Sequence, residues 1–393
     1  MLAASLLPGT PFLPQRPRPE DPARTAAIAA LHRRAGSVSP GTPEAERIAD
    51  ELARIGSEEL EEGETGRATE LLSEAYALDE ENGLILARLT LAYVRGGDFE
   101  SARFYLKMAE ERISRAPPEI YGLLGEIYYA LNRLEDALLA WGEFARFGGQ
   151  DPRILRRLVR ARDELALTRG QRSLQLEHFS LFADPSVSDE TLRRAGEELE
   201  RAYGAQSAAF GIELPGSQVV VLYAGRAFFS LVAVPEWVSG LFDGKIRVSV
   251  EPGECAESPL AGVLAHELAH AMIRQSSHDR APAWLHEGLA QWWEGKRLPR
   301  REIRSALGSH AAASLESLDA AFRGVLDRSS AQASYAQALS LVEYVMAVRG
   351  AGALACLLAR LRDGADFPEA LEAETGWTDA RLVAEWRRWA GVP

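Results

Sequence analysis

The sequence predicts two folded regions of different class: an all-α domain of helical repeats, then an α+β domain that joins a small mixed sheet to a helical C-terminal lobe. Three observations carry that expectation. Turn-to-helix points recur at Ala68, Ala102 and Ala137, spacings of 34 and 35 residues. Beyond residue 170, short apolar runs alternate at period two, over 174–182 and 244–250, as strands with one buried face do. Longer runs at helical spacing follow, and the first of them holds His266-Glu267-Leu268-Ala269-His270.

From the N-terminus, six prolines fall between residues 8 and 22. Residues 1–42 are therefore expected to be a Pro-rich leader or linker, partly disordered, with a short helix over 23–34 and a break at 36–43. Residues 43–168 form the predicted repeat domain. Leu86, Leu89 and Tyr93 return one period later as Tyr121, Leu124 and Tyr128, and Leu106 and Ala109 return as Trp141 and Phe144. A period near 34 residues resembles tetratricopeptide repeats, whose paired helices approach closely over small residues such as the three alanines. A third copy over 49–82 is weaker, and a helix over 152–167 is placed to cap the stack. Such a stack implies a protein partner without identifying one.

Arg169-Gly170-Gln171-Arg172 marks the junction, and residues 172–391 are the predicted second domain. Residues 174–182 read as one strand with His178 pointing outward. A helix from Ser188, its N-cap, runs to about Phe210 and closes at Gly211. Residues 218–223 are a buried strand, and residues 227–229 begin a short helix or turn. Residues 244–250 put Ile246, Val248 and Val250 on one face and Lys245, Arg247 and Ser249 on the other, which suits an exposed edge strand. Trp237 and Phe242 precede it as candidate cleft-lining residues. The C-terminal lobe is expected as helices over 334–345, 353–362, 367–374 and 378–389.

Composition narrows the function classes. The net charge is −13 and no basic stripe dominates any region, which argues against nucleic-acid binding. No apolar run reaches the ~18 residues of a membrane-spanning helix. The first eight residues make a poor signal peptide, so the compartment is open: cytoplasmic, or exported if the true start lies upstream. The two cysteines, Cys255 and Cys356, lack metal-ligand spacing; they are either unrelated thiols or one disulfide.

The chemistry is expected at the paired histidines. Residues four apart share a helix face, so His266 and His270 can reach one metal ion, and Glu267 flanks that face. Pro259 suits the first turn of this helix. Glu287, within Trp284-Leu285-His286-Glu287-Gly288-Leu289-Ala290, offers a carboxylate from a second helix as a plausible third ligand. Two His, one Glu and an open fourth position describe a catalytic zinc site, one zinc per chain.

These residues carry a resemblance. Residues 172–391 look like the gluzincin metallopeptidases, in particular the bacterial peptidase-MA-like domains. The resemblance implies a zincin-like fold, His266, His270 and Glu287 as zinc ligands, and Glu267 as general base. It also implies an edge strand ahead of the motif helix that pairs with an extended peptide or protein substrate. Tyr335, placed at the start of the helix after the second zinc helix, where members of the resembled family often carry a tyrosine, is the candidate donor to the developing oxyanion, with an ordinary core tyrosine as the alternative. His286 is either a support for the ligands or a substrate contact, and Asp279, Glu294 and Glu343 are candidate anchors for the imidazoles. His32, His278 and His310 are expected at the surface.

The expected activity is zinc-dependent peptide hydrolysis. No Gly-x-Met-Glu-Asn motif precedes His266 to anchor a substrate amine, which favours an endopeptidase. The alternatives are a repeat scaffold whose zincin domain binds metal or peptide without turnover, and hydrolysis of a non-peptide amide or ester.

Overall fold

The computed structural model describes residues 22–112, 118–225, 228–229, 239–250, 260–307, 314–323 and 328–391. Contacts divide the chain into two units: the helices up to Arg169 together with Pro215–Val219, and Gly170–Leu214 together with Val220 onwards.

The first unit holds eight helices among the described residues: α1 (Pro22–Ala35), α2 (Pro43–Glu61), α3 (Thr65–Leu78), α4 (Gly83–Gly96), α5 (Phe99–Arg112), α6 (Pro118–Ala130), α7 (Leu134–Arg146) and α8 (Pro152–Thr168). Local chemistry sets their ends. Thr42 accepts the Ala45 N–H at 3.2 Å with Pro43 in the first turn, and Asn82 and Asp151 cap α4 and α8 in the same way. Gly97, at φ 81°, closes α4 in the left-handed conformation that glycine adopts without steric cost. The helices pack in the pairs α2–α3, α4–α5 and α6–α7, with α4 also against α6 and α8 against α7. Ala68, Ala102 and Ala137, which carry the period, are all fully buried.

Trp141 fills the last pair. Its indole N–H donates to the Gly122 carbonyl at 3.2 Å, and an added Cβ on Gly125 would overlap the indole ring. Gly125→Ala is therefore expected to cost about 1–3 kcal/mol by overpacking, read as a lower denaturation midpoint of this unit. A groove of about 680 Å³ also opens in this unit, with Leu84, Arg88, Leu91, Leu123, Phe144 and Arg157 among its walls.

The second unit begins with a hairpin rather than one strand. β1 (Arg172–Gln175) and β2 (Phe179–Ala183) pair antiparallel, so the turn lies inside the run read as continuous. His178 sits at that turn; it stacks on Tyr203 at 4.0 Å and its Nδ1 meets Glu200 at 2.6 Å. α9 (Asp189–Phe210) follows with Ser188 accepting the Thr191 N–H and Gly211 at φ 68°. Then come β3 (Gln218–Ala224), β4 (Gly240–Phe242) and β5 (Ile246–Val250). The mixed sheet has the order β1-β2-β3-β5-β4, with β5 parallel to β3 and antiparallel to β4.

That order corrects the edge-strand expectation. β5 is interior, and among the described strands the edge beside it is β4, a strand of three residues. The charged residues of the run 244–250 are not a solvated face. Lys245 and Arg247 are buried, with the Arg247 guanidinium on Asp243 at 3.1 Å and on the Tyr223 hydroxyl. A charge satisfied inside the sheet gives the same alternation as a charge left in water.

Helices complete the unit: α10 (Leu260–Ser277), α11 (Ala283–Trp293), α12 (Arg300–Leu307), α13 (Leu315–Arg323), α14 (Arg328–Arg349), α15 (Ala351–Arg362), α16 (Phe367–Thr375) and α17 (Asp379–Ala390). The last four span the runs read as helical. α10 packs against α9, α11, α15, β4 and β5, and so lies at the centre of the core. No single helix among the described residues is long and apolar enough to cross a membrane. Cys356 is an exposed free thiol; Trp237, Cys255, Pro259, His310 and the prolines before residue 22 lie outside the described residues.

Candidate metal centre

α10 carries His266, Glu267 and His270, all buried. The apolar residues around them, Val263, Leu264, Leu268, Met272 and Ile273, bury the helix on several sides, so the three polar side chains are enclosed. α11 brings Glu287 to the same point. The start of α11 has no side-chain cap of its own, since Pro282 stands at the N-cap. Asp319 of α13 supplies the acceptor instead, taking the Ala283 N–H at 2.6 Å across 36 residues.

One nitrogen from each of His266 and His270 and one oxygen of Glu287 lie within 4.8 Å of one another. Glu287 Oε2 is 3.7 Å from His266 Nε2, and Oε1 is 3.9 Å from His270 Nε2. These spacings are close to the ~3.4 Å edge of a tetrahedron built on ~2.1 Å bonds to zinc. None of these four atoms has a hydrogen-bond partner among the described residues, although each is buried. Buried polar atoms without partners cost about 1–3 kcal/mol each. Two nitrogens and a carboxylate converging without partners fit a zinc ion.

Two family models match the chain. Residues 228–391 match the family model of the Peptidase MA superfamily, and residues 59–113 match that of the tetratricopeptide repeat. The chain carries a Peptidase MA superfamily domain behind tetratricopeptide repeats. No curated protein matches the chain.

In the Peptidase MA domain, burial sets the charge states. It pushes the Glu287 carboxyl well above the ordinary range; Lys296 opposes the rise and Glu294 adds to it. It pushes His270 well below the ordinary imidazole value, with the neighbouring His266 and His286 adding to the fall. His266 is also lowered by burial, and Glu294 opposes. Neutral imidazoles are the ligating form, and a dication would reverse the penalty on the carboxylate.

Supports for the imidazoles are in place. Glu294 Oε2 meets His266 Nδ1 at 2.9 Å, and Glu294 is itself held by Lys296 at 2.8 Å. Burial raises the Glu294 carboxyl, but its bonds to His266 and Lys296 prevail and its pKa is lowered. Of the three candidate anchors, the structure places Glu294 there; Asp279 pairs with Arg274, and Glu343 accepts the Leu298 N–H. His270 Nδ1 lies 3.5 Å from His286 Nδ1, the two rings tilted by only 16°. Burial, reinforced by Arg274, brings His286 down to about 3, so it is a neutral partner.

Tyr335 lies about two turns into α14, not at its start, and α12 and α13 intervene after α11. The residue is buried and packs edge-on against Phe322. Burial raises its phenol well above the ordinary value, and the charges of Glu287, Glu267 and Glu294 raise it further. Its backbone is tied to the candidate centre: the Gln291 amide donates to the carbonyls of both Glu287 (3.1 Å) and Tyr335 (2.9 Å). At Gly288 an added Cβ would stand 2.5 Å from the Ala338 carbonyl, so α11 and α14 touch backbone to backbone one residue past Glu287. His32 pairs with Glu74 and His278 is half-buried, both apart from this cluster.

Proposed function

We propose that the chain is a zinc-dependent peptidase that cleaves within extended peptides, with His266, His270 and Glu287 as zinc ligands. The observation that carries the reading is the convergence of three buried donor groups beside Glu267, inside a Peptidase MA superfamily domain. When zinc is held there, it supplies Lewis acidity towards a carbonyl and a lowered pKa for water.

The residues divide the remaining work. Glu267 takes a proton from the attacking water and returns it to the leaving amine nitrogen. Tyr335, kept protonated by burial and by the carboxylates around it, donates to the oxyanion. Glu294 and His286 orient the two imidazoles through their Nδ1 atoms. Substrate binds along β4. Backbone bonds at Ser249–Ser239 and Asp243–Lys245 leave Gly240 and Phe242 at the alternate positions, with their N–H and C=O groups directed to the open side of the strand. A strand added there gains main-chain hydrogen bonds without regard to sequence. The groove of the repeat unit, with arginines among apolar walls, is the face for a protein partner or client.

The test is incubation of the zinc-replete chain with a mixture of unstructured peptides. Internal cleavage that stops with chelator and resumes with zinc is expected. Trimming one residue at a time from either end would replace the endopeptidase reading with an exopeptidase one, and no cleavage of any peptide would sink the peptidase reading. Tyr335→Phe is expected to lower kcat about 10²–10³-fold, the loss of one oxyanion donor, while zinc content is unchanged.

A further inference from the structure

The side chain of Glu267 lies where a side chain of residue 240 would be. A Cβ built on Gly240 stands 2.5 Å from Glu267 Oε1, 2.8 Å from its Cγ and 2.9 Å from its Cδ. Real Cβ atoms do not approach so closely, so any residue but glycine at 240 displaces the carboxylate. Glu267 is fully buried on α10, which packs against β4, and has little room to move aside. Gly240 is not in a left-handed conformation, so this glycine answers a close approach and not a turn.

We infer that Gly240 is a positioning residue for Glu267: the edge strand gives up a side chain so that the carboxylate rests against its backbone. β4 is held for this task from its other side. Its register on β5 pairs Gly240 with Val248, and the buried Arg247–Asp243 pair braces the end of the hairpin. β4 thus presents the main-chain groups of Gly240 and Phe242 outward, and at Gly240 a bare backbone to Glu267. A peptide lying along that edge then has its backbone at a spacing from the carboxylate set by one strand, with no intervening side chain.

This inference rests on the proposed peptidase reading, and two readouts separate the fate of the two. The variants are Gly240→Ala, Glu267→Asp and their combination, in the full chain. Shortening Glu267 by one methylene makes room for the added methyl. Gly240→Ala alone is expected to lower kcat on the order of 100-fold, the effect of displacing a catalytic group by about 1 Å, with KM and zinc content little changed. In the Glu267→Asp background the same change is expected to cost less than about threefold. Melting temperature follows the same cycle without any need for turnover: Gly240→Ala lowers it in the parent and leaves it unchanged in the Glu267→Asp background.

An equal fall of melting temperature in both backgrounds, or full kcat in Gly240→Ala, overturns the inference. So does failure of Gly240→Ala to fold in both backgrounds, since relief by the shorter carboxylate is the mark of the contact. A coupled melting cycle in a parent that cleaves nothing would keep the contact and discard the peptidase reading.

Discussion

Glu267→Gln is expected to abolish hydrolysis while leaving about one zinc per chain. The amide keeps the size of the carboxylate in a fully buried position, so packing changes little. What it loses is the capacity to take a proton, and general acid–base catalysis is worth about 10²–10⁴ in rate. The three proposed zinc donors stand on other residues, and their supports, Glu294 and His286, do not involve Glu267. Removing a negative charge near Tyr335 also withdraws one cause of its raised pKa, which leaves the phenol protonated at neutral pH. Kinetics and elemental mass spectrometry on the same preparation read both halves. Full turnover would move the base to another group, and zinc loss with activity would make Glu267 a structural member of the site.

The second large effect is expected from the ligands. His266→Ala and Glu287→Ala should each reduce zinc from about one per chain to a trace, and chelator should lower the melting temperature of the parent but not of the variants. The physical reason is the burial of atoms that have no hydrogen-bond partner among the described residues: Nε2 of both histidines and both oxygens of Glu287. A ligand present at 1,000 times its Kd stabilises the folded state by about 4 kcal/mol. The parent therefore has a stabilisation to lose, and variants with one donor removed do not. Unchanged zinc in both variants would place the metal elsewhere in the chain.

Much of this was legible in the sequence because it depends on local spacing. A helix that repeats every 34 residues must place Ala68, Ala102 and Ala137 alike, and a motif with histidines four apart must present them on one face. Ser188 and Gly211 are caps whose chemistry is contained within one turn. The edge of the sheet was not legible, for two reasons. β4 spans three residues, too few for alternation to register, and the Arg247–Asp243 pair makes an interior strand look solvated. Glu294 and Asp319 depend on tertiary proximity, 28 and 36 residues from the groups they serve, and no periodicity encodes that. His270's neighbour His286 stands beside Glu287 in the chain, so adjacency to a proposed ligand was its one signal.

Gln291 has a consequence for how the site deforms. A single amide fastens the backbone of the residue offering the carboxylate to the backbone of the residue offering the phenol, and the glycine contact between the same two helices keeps them from sliding. Through Glu294 and His286 the same α11 also reaches the two imidazoles on α10, so it stands between the residue offering the phenol and the helix pressed against the sheet. A shift of α14 is therefore passed to the imidazoles by way of α11 and not by a contact of its own with them.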